Sequence, residues 1–254
     1  MRIAVLTGGG DCPGLNAAIR AIVYKAASYG DEVIGVRHGW LGLMGESDTE
    51  PLPVDAVSDI LPLGGTIIGT SRTNPLNSPN GLAEVAVNFK KNSFDVLIAI
   101  GGDDTLGIAH KLHQYGVPVV GVPKTIDNDL ADTDYCLGFD SGVANVVDAL
   151  DKVHTTAHAH HRVMVIEVMG RNAGWMAVVG GMAGGADFIA IPEEPSNIEE
   201  ICHHVNSRWA CGQKYSILVV AEGAKIEGIE ESVDVVDAVI PVPGAPRGAE
   251  TGGA

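Results

Sequence analysis

Short runs of Val, Ile, Leu and Ala alternate along the chain with longer segments whose apolar residues recur every three or four positions. The runs Arg2–Leu6, Val33–Val36, Val96–Ile100, Pro118–Val122, Val163–Glu167 and Ser216–Val220 are apolar through most of their length, as parallel strands covered on both faces are. Between them the spacing predicts helices over Leu15–Tyr29, stopped by Gly30, over Thr105–Tyr115, stopped by Gly116, and from Ser141 to about His158. Such alternation predicts a doubly wound α/β architecture with ligands at the C-terminal ends of the strands. A second alternation begins after Phe139-Asp140. The fold class expected is α/β, two doubly wound Rossmann-like domains with mainly parallel sheets and the active site in the cleft between them. Their expected limits are 1–138 and 139–240. A strand-like run, Val233–Val242, leads into a Pro/Gly/Ala-rich tail, 241–254, that has little to bury and is expected to be disordered.

Composition narrows the function classes. A chain of 254 residues is long enough for a real core. With 46% apolar residues, 5% aromatics and 33 glycines it is an Ala/Val/Ile/Gly-rich α/β protein, neither disordered nor collagen-like. The formal charge of −16 argues against a nucleic-acid binder, which needs a phosphate-neutralising face. It also means that any anionic ligand requires a locally basic site. No apolar run approaches the ~20 residues of a membrane span, so no membrane partner is expected. The N-terminus reads as a strand instead of a signal peptide, and Cys12, Cys136, Cys202 and Cys211 form no C-x-x-C pair. The expected location is the cytoplasm, with reduced thiols.

Three strand tips carry candidate chemistry. Thr7 to Asn16, TGGGDCPGLN, is a glycine-rich turn feeding a helix, where backbone N–H groups and the helix dipole favour an anion. It matches neither G-x-G-x-x-G nor the Walker loop, and Arg37-His38 after the second strand leaves only an NADP reading, or a plain tight turn. Gly101-Gly102-Asp103-Asp104-Thr105 leaves room for a ligand, and Asp103 suits Mg²⁺, although the two acids also suit a helix cap. Pro123 to Asp129, PKTIDND, supplies a cation, a hydroxyl and two carboxylates in one turn, and a carboxylate can accept a proton from an attacking alcohol.

In that order, GGGDCPGLNAAIR, GGTIIGTSR, GGDDT, PKTIDND, FDSG, EVMGRNAGW and AEG resemble the 6-phosphofructokinase family from about Met1 to Lys225. The resemblance implies a glycolytic phosphotransferase that uses Mg²⁺ and phosphorylates fructose 6-phosphate. It places Gly9, Gly10, Gly102, Asp104 and Thr105 around the phosphoryl donor, Arg72 on the phosphoryl group in transfer and Asp103 on Mg²⁺. Thr125, Ile126 and Asp127 fall at the sugar phosphate, with Asp127 taking the proton from the 1-hydroxyl and Asp129 supporting it. Met169, Gly170, Arg171 and Glu222 bind the sugar phosphate. Arg162 reaches a neighbouring subunit's site, which implies a homo-oligomer, a dimer or tetramer.

ATP users of the family look like GGDG and PGTIDND. Asp104 and Lys124 stand here where those have glycine, the pair of the pyrophosphate-dependent branch. The Asp104 carboxylate repels an ATP α-phosphate, and Lys124 neutralises the leaving phosphate. Tyr24 stands where effector-controlled members have a second arginine after Arg20, so pyrophosphate use without nucleotide control is expected. His158, His160 and His161 are expected to be solvated, and Trp40, Trp175 and Trp209 to be packing residues.

Family members continue with an arginine and a His-x-x-Arg-Gly-Gly-type stretch that clamp the sugar phosphate. This chain shows neither, and its final residues resemble an out-of-frame reading of GC-rich DNA, which the coding DNA tests. Uncovered apolar surface on both domains is therefore expected. The alternatives are an ATP-dependent enzyme and a catalytically impaired phosphosugar-binding fragment.

Overall fold

The computed structural model describes residues 1–228. The strand-like run Val233–Val242 and the tail 241–254 lie outside the described residues. Residues up to Pro123 build the first layered unit: β1 (Arg2–Thr7), α1 (Leu15–Ala27), β2 (Glu32–Val36), β3 (Thr49–Pro51), α2 (Gly81–Lys91), β4 (Val96–Gly101), α3 (Asp103–Gln114) and β5 (Val119–Pro123). The sheet order is β3-β2-β1-β4-β5, parallel except for β3. One face packs Val5, Val33 and Ile100 against Leu15, Ile19 and Val23 of α1. The other packs Leu6, Leu97 and Ala99 against Val85 and Phe89 of α2 and Ile108 and Leu112 of α3. The chain reverses its winding between β1 and β4, so a crevice opens at their C-terminal ends, the usual ligand position in such sheets.

A second unit follows: α4 (Phe139–His160), β6 (Val163–Val168), α5 (Trp175–Ala183), β7 (Phe188–Ala190), β8 (Ser196–Asn197), α6 (Ile198–Ala210), β9 (Ser216–Ala221) and β10 (Ile226–Glu227). Its main sheet is parallel with order β6-β9-β7. Leu150 and Ala157 of α4 and Ala177 of α5 bury one face against Ile217 and Val219.

Full coverage of the strands fails at two edges. Val120 of β5 and Val163 and Val165 of β6 are exposed, and β6 alternates exposed with partly buried positions up to Glu167. Each strand has a neighbour on one side alone among the described residues.

Candidate active site

The glycine turn after β1 is held from both sides. Gly8 N–H donates to the Ile100 carbonyl at 2.9 Å, and Gly9 N–H to the Ser71 carbonyl at 3.1 Å. The Thr70 hydroxyl donates back to the Gly9 carbonyl at 2.7 Å. Its glycines serve different ends. A Cβ at Gly8 would stand 2.5 Å from Thr105 Oγ1, and one at Gly101 2.4 Å from Thr105 Cβ. Gly8 and Gly101 thus accommodate the buried Thr105 side chain, a packing reason beyond the room for a ligand expected of the Gly101-Gly102 pair. A Cβ at Gly10 would meet nothing within 4 Å, and at Gly102 only the Lys124 carbonyl at 3.6 Å. Neither position needs glycine for the protein's own packing, and both face the cleft. Gly101→Ala is expected to cost about 1–3 kcal/mol through overpacking. Gly10→Ala should leave the free energy of unfolding within about 0.5 kcal/mol of the parent while weakening phosphate binding. Equilibrium unfolding and calorimetric titration separate the two effects.

The cleft encloses about 400 Å³ and gathers all three strand tips, together with Arg72, Met169 and Arg171. Lys124 is 4% exposed, and its Nζ donates to the Gly10 carbonyl at 2.8 Å. Burial lowers its pKa, opposed by the neighbouring Cys12, Asp11 and Asp127. Among the described residues none of the cleft's Arg72, Lys124 and Arg171 is in an ion pair. In so acidic a chain, unpaired cations at one cleft make the local reversal of charge that an anion requires.

Asp127 is 8% exposed, and burial raises its carboxyl pKa. The Thr125 hydroxyl and Arg171 oppose that rise, while Asp129 and Glu222 add to it. Its turn is pinned by Asn128, whose Oδ1 accepts the Cys136 N–H at 2.8 Å. Asn128 and Arg171 both hold left-handed backbone, φ 53°, two of the six non-glycine residues in that region. Glu222 Oε1 accepts the N–H groups of Gly170, at 3.1 Å, and of Arg171. The Glu222 carboxylate thus shapes the 169–171 turn from behind, and neither Glu222 nor Gly170 lines the cleft. Asp129 lines a neighbouring cavity with Tyr135, Phe139 and Trp175, so it acts on Asp127 through charge. Arg162 precedes β6, at the end opposite Met169–Arg171, and lies outside this cleft.

For a metal, the cleft offers Asp103 and Asp104 in the first turn of α3. No group of three His, Cys, Asp or Glu forms a cage among the described residues. One carboxylate beside a phosphate site is how Mg²⁺, which prefers substrate oxygens and water, is usually held. Burial pushes the Cys12 thiol up to about 11, so it stays protonated and is no nucleophile.

The family model described as phosphofructokinase matches residues 2–242. The chain belongs to the phosphofructokinase family. A curated relative from Dictyoglomus thermophilum, pyrophosphate--fructose 6-phosphate 1-phosphotransferase, is 54% identical over 90% of this chain and 66% of its own length. An ATP-dependent 6-phosphofructokinase from Corynebacterium efficiens is 51% identical over 88% of this chain and 65% of its own. The solved phosphofructokinase from Saccharomyces cerevisiae superposes with a TM-score of 0.81 at 32% identity, covering 89% of this chain and 34% of that one. The chain thus spans about two thirds of the length of the curated phosphofructokinases it matches.

Sequence reasoning passed over Trp40, Ser71, Thr73, Asn74 and Ile108, which also line the cleft. The one signal was Gly39, whose left-handed φ of 62° folds the Trp40 segment against β1. There a Cβ would stand 2.8 Å from the Thr7 carbonyl. Trp40 is buried as expected, but Trp175 and Trp209 are exposed, a correction to their reading as packing residues. Lys214 lies over the Trp209 ring at 4.8 Å. His158, His160 and His161 are exposed at the end of α4. No helix among the described residues is long and apolar enough to cross a membrane.

Proposed function

We propose that the chain transfers a phosphoryl group from pyrophosphate to the 1-hydroxyl of fructose 6-phosphate, giving fructose 1,6-bisphosphate and phosphate. The observation that carries this reading is the meeting of Lys124, a buried ammonium paired among the described residues only with a carbonyl, with Asp104 and Asp127 in one cleft. Asp127 takes the hydroxyl proton as the O–P bond forms, and its raised pKa strengthens it as a base. Arg72 stabilises the charge on the group in transfer, where positioning and electrostatics supply most of the catalysis. The open backbone at Gly9, Gly10 and Gly102, beside Thr105, cradles the donor, and Lys124 neutralises the departing phosphate. Asp103 holds Mg²⁺, which when bound neutralises and orients the donor phosphates.

Thr125, Ile126, Met169 and Arg171 hold the sugar phosphate, with Gly170 and Glu222 shaping the 169–171 turn. Residues 1–138 form the donor side and 139–240 the sugar side. The chain works as a cytoplasmic homo-oligomer in which Arg162 serves a neighbouring cleft.

An ATP-dependent reading is favoured by the 51% identical relative of that name. The test is thermal unfolding of the full chain with Mg²⁺ and fructose 6-phosphate plus either donor. A donor at 100 times its Kd adds about 2.7 kcal/mol of stability. A clear rise in Tm with pyrophosphate and none with ATP is expected. A rise with ATP alone would defeat the assignment of donor.

A further inference from the structure

The side of the cleft given above to the sugar phosphate is built where the strands of the second sheet end. β6 runs into the 169–174 turn, which brings Met169 and Arg171 to the cleft and leads into α5. β9 ends in Glu222-Gly223, and β7 in a tight turn closed by the bridge between Ile191 and Glu194. Pro192 is second in that turn and Glu193 third, at its tip. The three turns interlock, with glycine at each contact. A Cβ at Gly223 would stand 2.1 Å from the Arg171 carbonyl oxygen and 3.2 Å from Pro192 Cγ. One at Gly174 would stand 2.6 Å from Ile191 Cβ and 2.7 Å from Glu193 Oε2.

Carboxylates take up the N–H groups at both ends of the 169–174 turn. Glu222 accepts those of Gly170 and Arg171. Glu193 accepts that of Gly174 with both oxygens, Oε1 at 2.8 Å and Oε2 at 3.1 Å. Gly174 is the N-cap of α5, so the Glu193 charge also meets the positive end of the helix dipole. Both acids are spent on the backbone. Neither pairs with the Arg171 guanidinium, which is in no ion pair among the described residues and is left for an anion.

We propose that Glu193 is a positioning residue for the sugar phosphate, an inference that rests on the function proposed above. Glu193 fixes the far end of the turn and Glu222 the near end, so Met169 and Arg171 hold one arrangement before substrate arrives. Arg171 stands between the two anchors in left-handed backbone, φ 53°, which an arginine in a loose turn would leave for commoner regions. Without Glu193 its guanidinium loses its place over the substrate phosphate. The donor side rests on contacts within the first unit, among them Gly8 with Ile100, Gly9 with Ser71 and Lys124 with Gly10, and stays unaffected.

The test uses the full chain. Glu193→Ala should raise the KM and the calorimetric Kd for fructose 6-phosphate about tenfold or more, with the KM for pyrophosphate within about twofold of the parent. Glu193→Gln keeps an acceptor oxygen for the Gly174 N–H and should recover most of that affinity. A purely structural Glu193 would lower the folded fraction, cutting kcat with both KM values unchanged, and that result would overturn the proposal. So would a rise in both KM values together, or a Gln variant no better than the Ala variant. Amide exchange separates this inference from the reading beneath it. The Gly174 and Arg171 amides should exchange about tenfold faster in Glu193→Ala, whatever the substrate, and unchanged exchange would overturn the anchoring itself. A parent that binds no fructose 6-phosphate sinks the kinase reading and the sugar-side role with it. A parent that binds it no better than Glu193→Ala sinks the positioning role alone.

Discussion

Asp127→Asn is expected to lower turnover by about 10²–10⁴-fold while making the fold more stable at neutral pH. Both effects come from one buried carboxylate. Burial raises the Asp127 pKa above its ordinary value, so the folded protein favours the protonated form more than the unfolded chain does. For a group shifted in this direction the contribution to stability is fully present below the unfolded pKa and is lost as the pH rises through the folded one. At neutral pH the ionised carboxylate therefore costs stability, which an uncharged amide of the same shape does not. Chemical denaturation should show the Asn variant more stable at pH 7, with the gap to the parent closing as the pH falls through the raised pKa. Turnover of the parent should fall over the same acid limb, because the base must be ionised. A variant that loses activity and stability together would point to a purely structural Asp127.

Exchanging the donor is the second large effect expected. Asp104→Gly with Lys124→Gly should move the ratio of kcat/KM for pyrophosphate over ATP toward ATP by about tenfold or more, the size of a displaced repulsive or neutralising contact. The two changes act differently. Asp104 is exposed in the first turn of α3, where its loss forfeits a favourable interaction with the helix dipole of about 0.3–1 kcal/mol. Lys124 is buried with its ammonium on the Gly10 carbonyl, so its removal also loosens the glycine turn. Asp104→Gly alone is accordingly the cleaner probe of ATP exclusion, and the double variant the stronger probe of donor choice. A donor ratio unchanged in both would refute the roles given to these residues.

How much of this was legible in the chain varied with the physics of each element. β1 and β4 were plain because both faces of their strands are largely buried, which leaves the apolar runs Ile3–Leu6 and Val96–Ile100 just before Gly8 and Gly101. The three cleft-forming turns followed from them, since the C-terminal ends of parallel strands are where such a sheet opens its crevice. α5 was hidden. Gly180 and Gly181 weaken its helix propensity, yet a Cβ at Gly180 would stand 2.7 Å from Val146 Cγ1 and at Gly181 2.8 Å from Ile189 Cδ1. Glycine there lets α5 lie close against α4 and β7, a tertiary reason invisible to local pattern. Trp40 and Ser71 reach the cleft from long connections whose path is set by left-handed Gly39 and Gly69. The exposed edge of β6 escaped too, because VMVIEV has the composition of a covered strand whether or not a neighbour is there.

Turnover by the full chain tests the central claim most directly. Phosphorus NMR of the purified protein with Mg²⁺, fructose 6-phosphate and pyrophosphate should show fructose 1,6-bisphosphate and inorganic phosphate appearing in equal amounts, with no bisphosphate when ATP replaces pyrophosphate. A folded chain that forms bisphosphate from neither donor would contradict the assignment and leave the cleft a phosphate-binding site without catalysis.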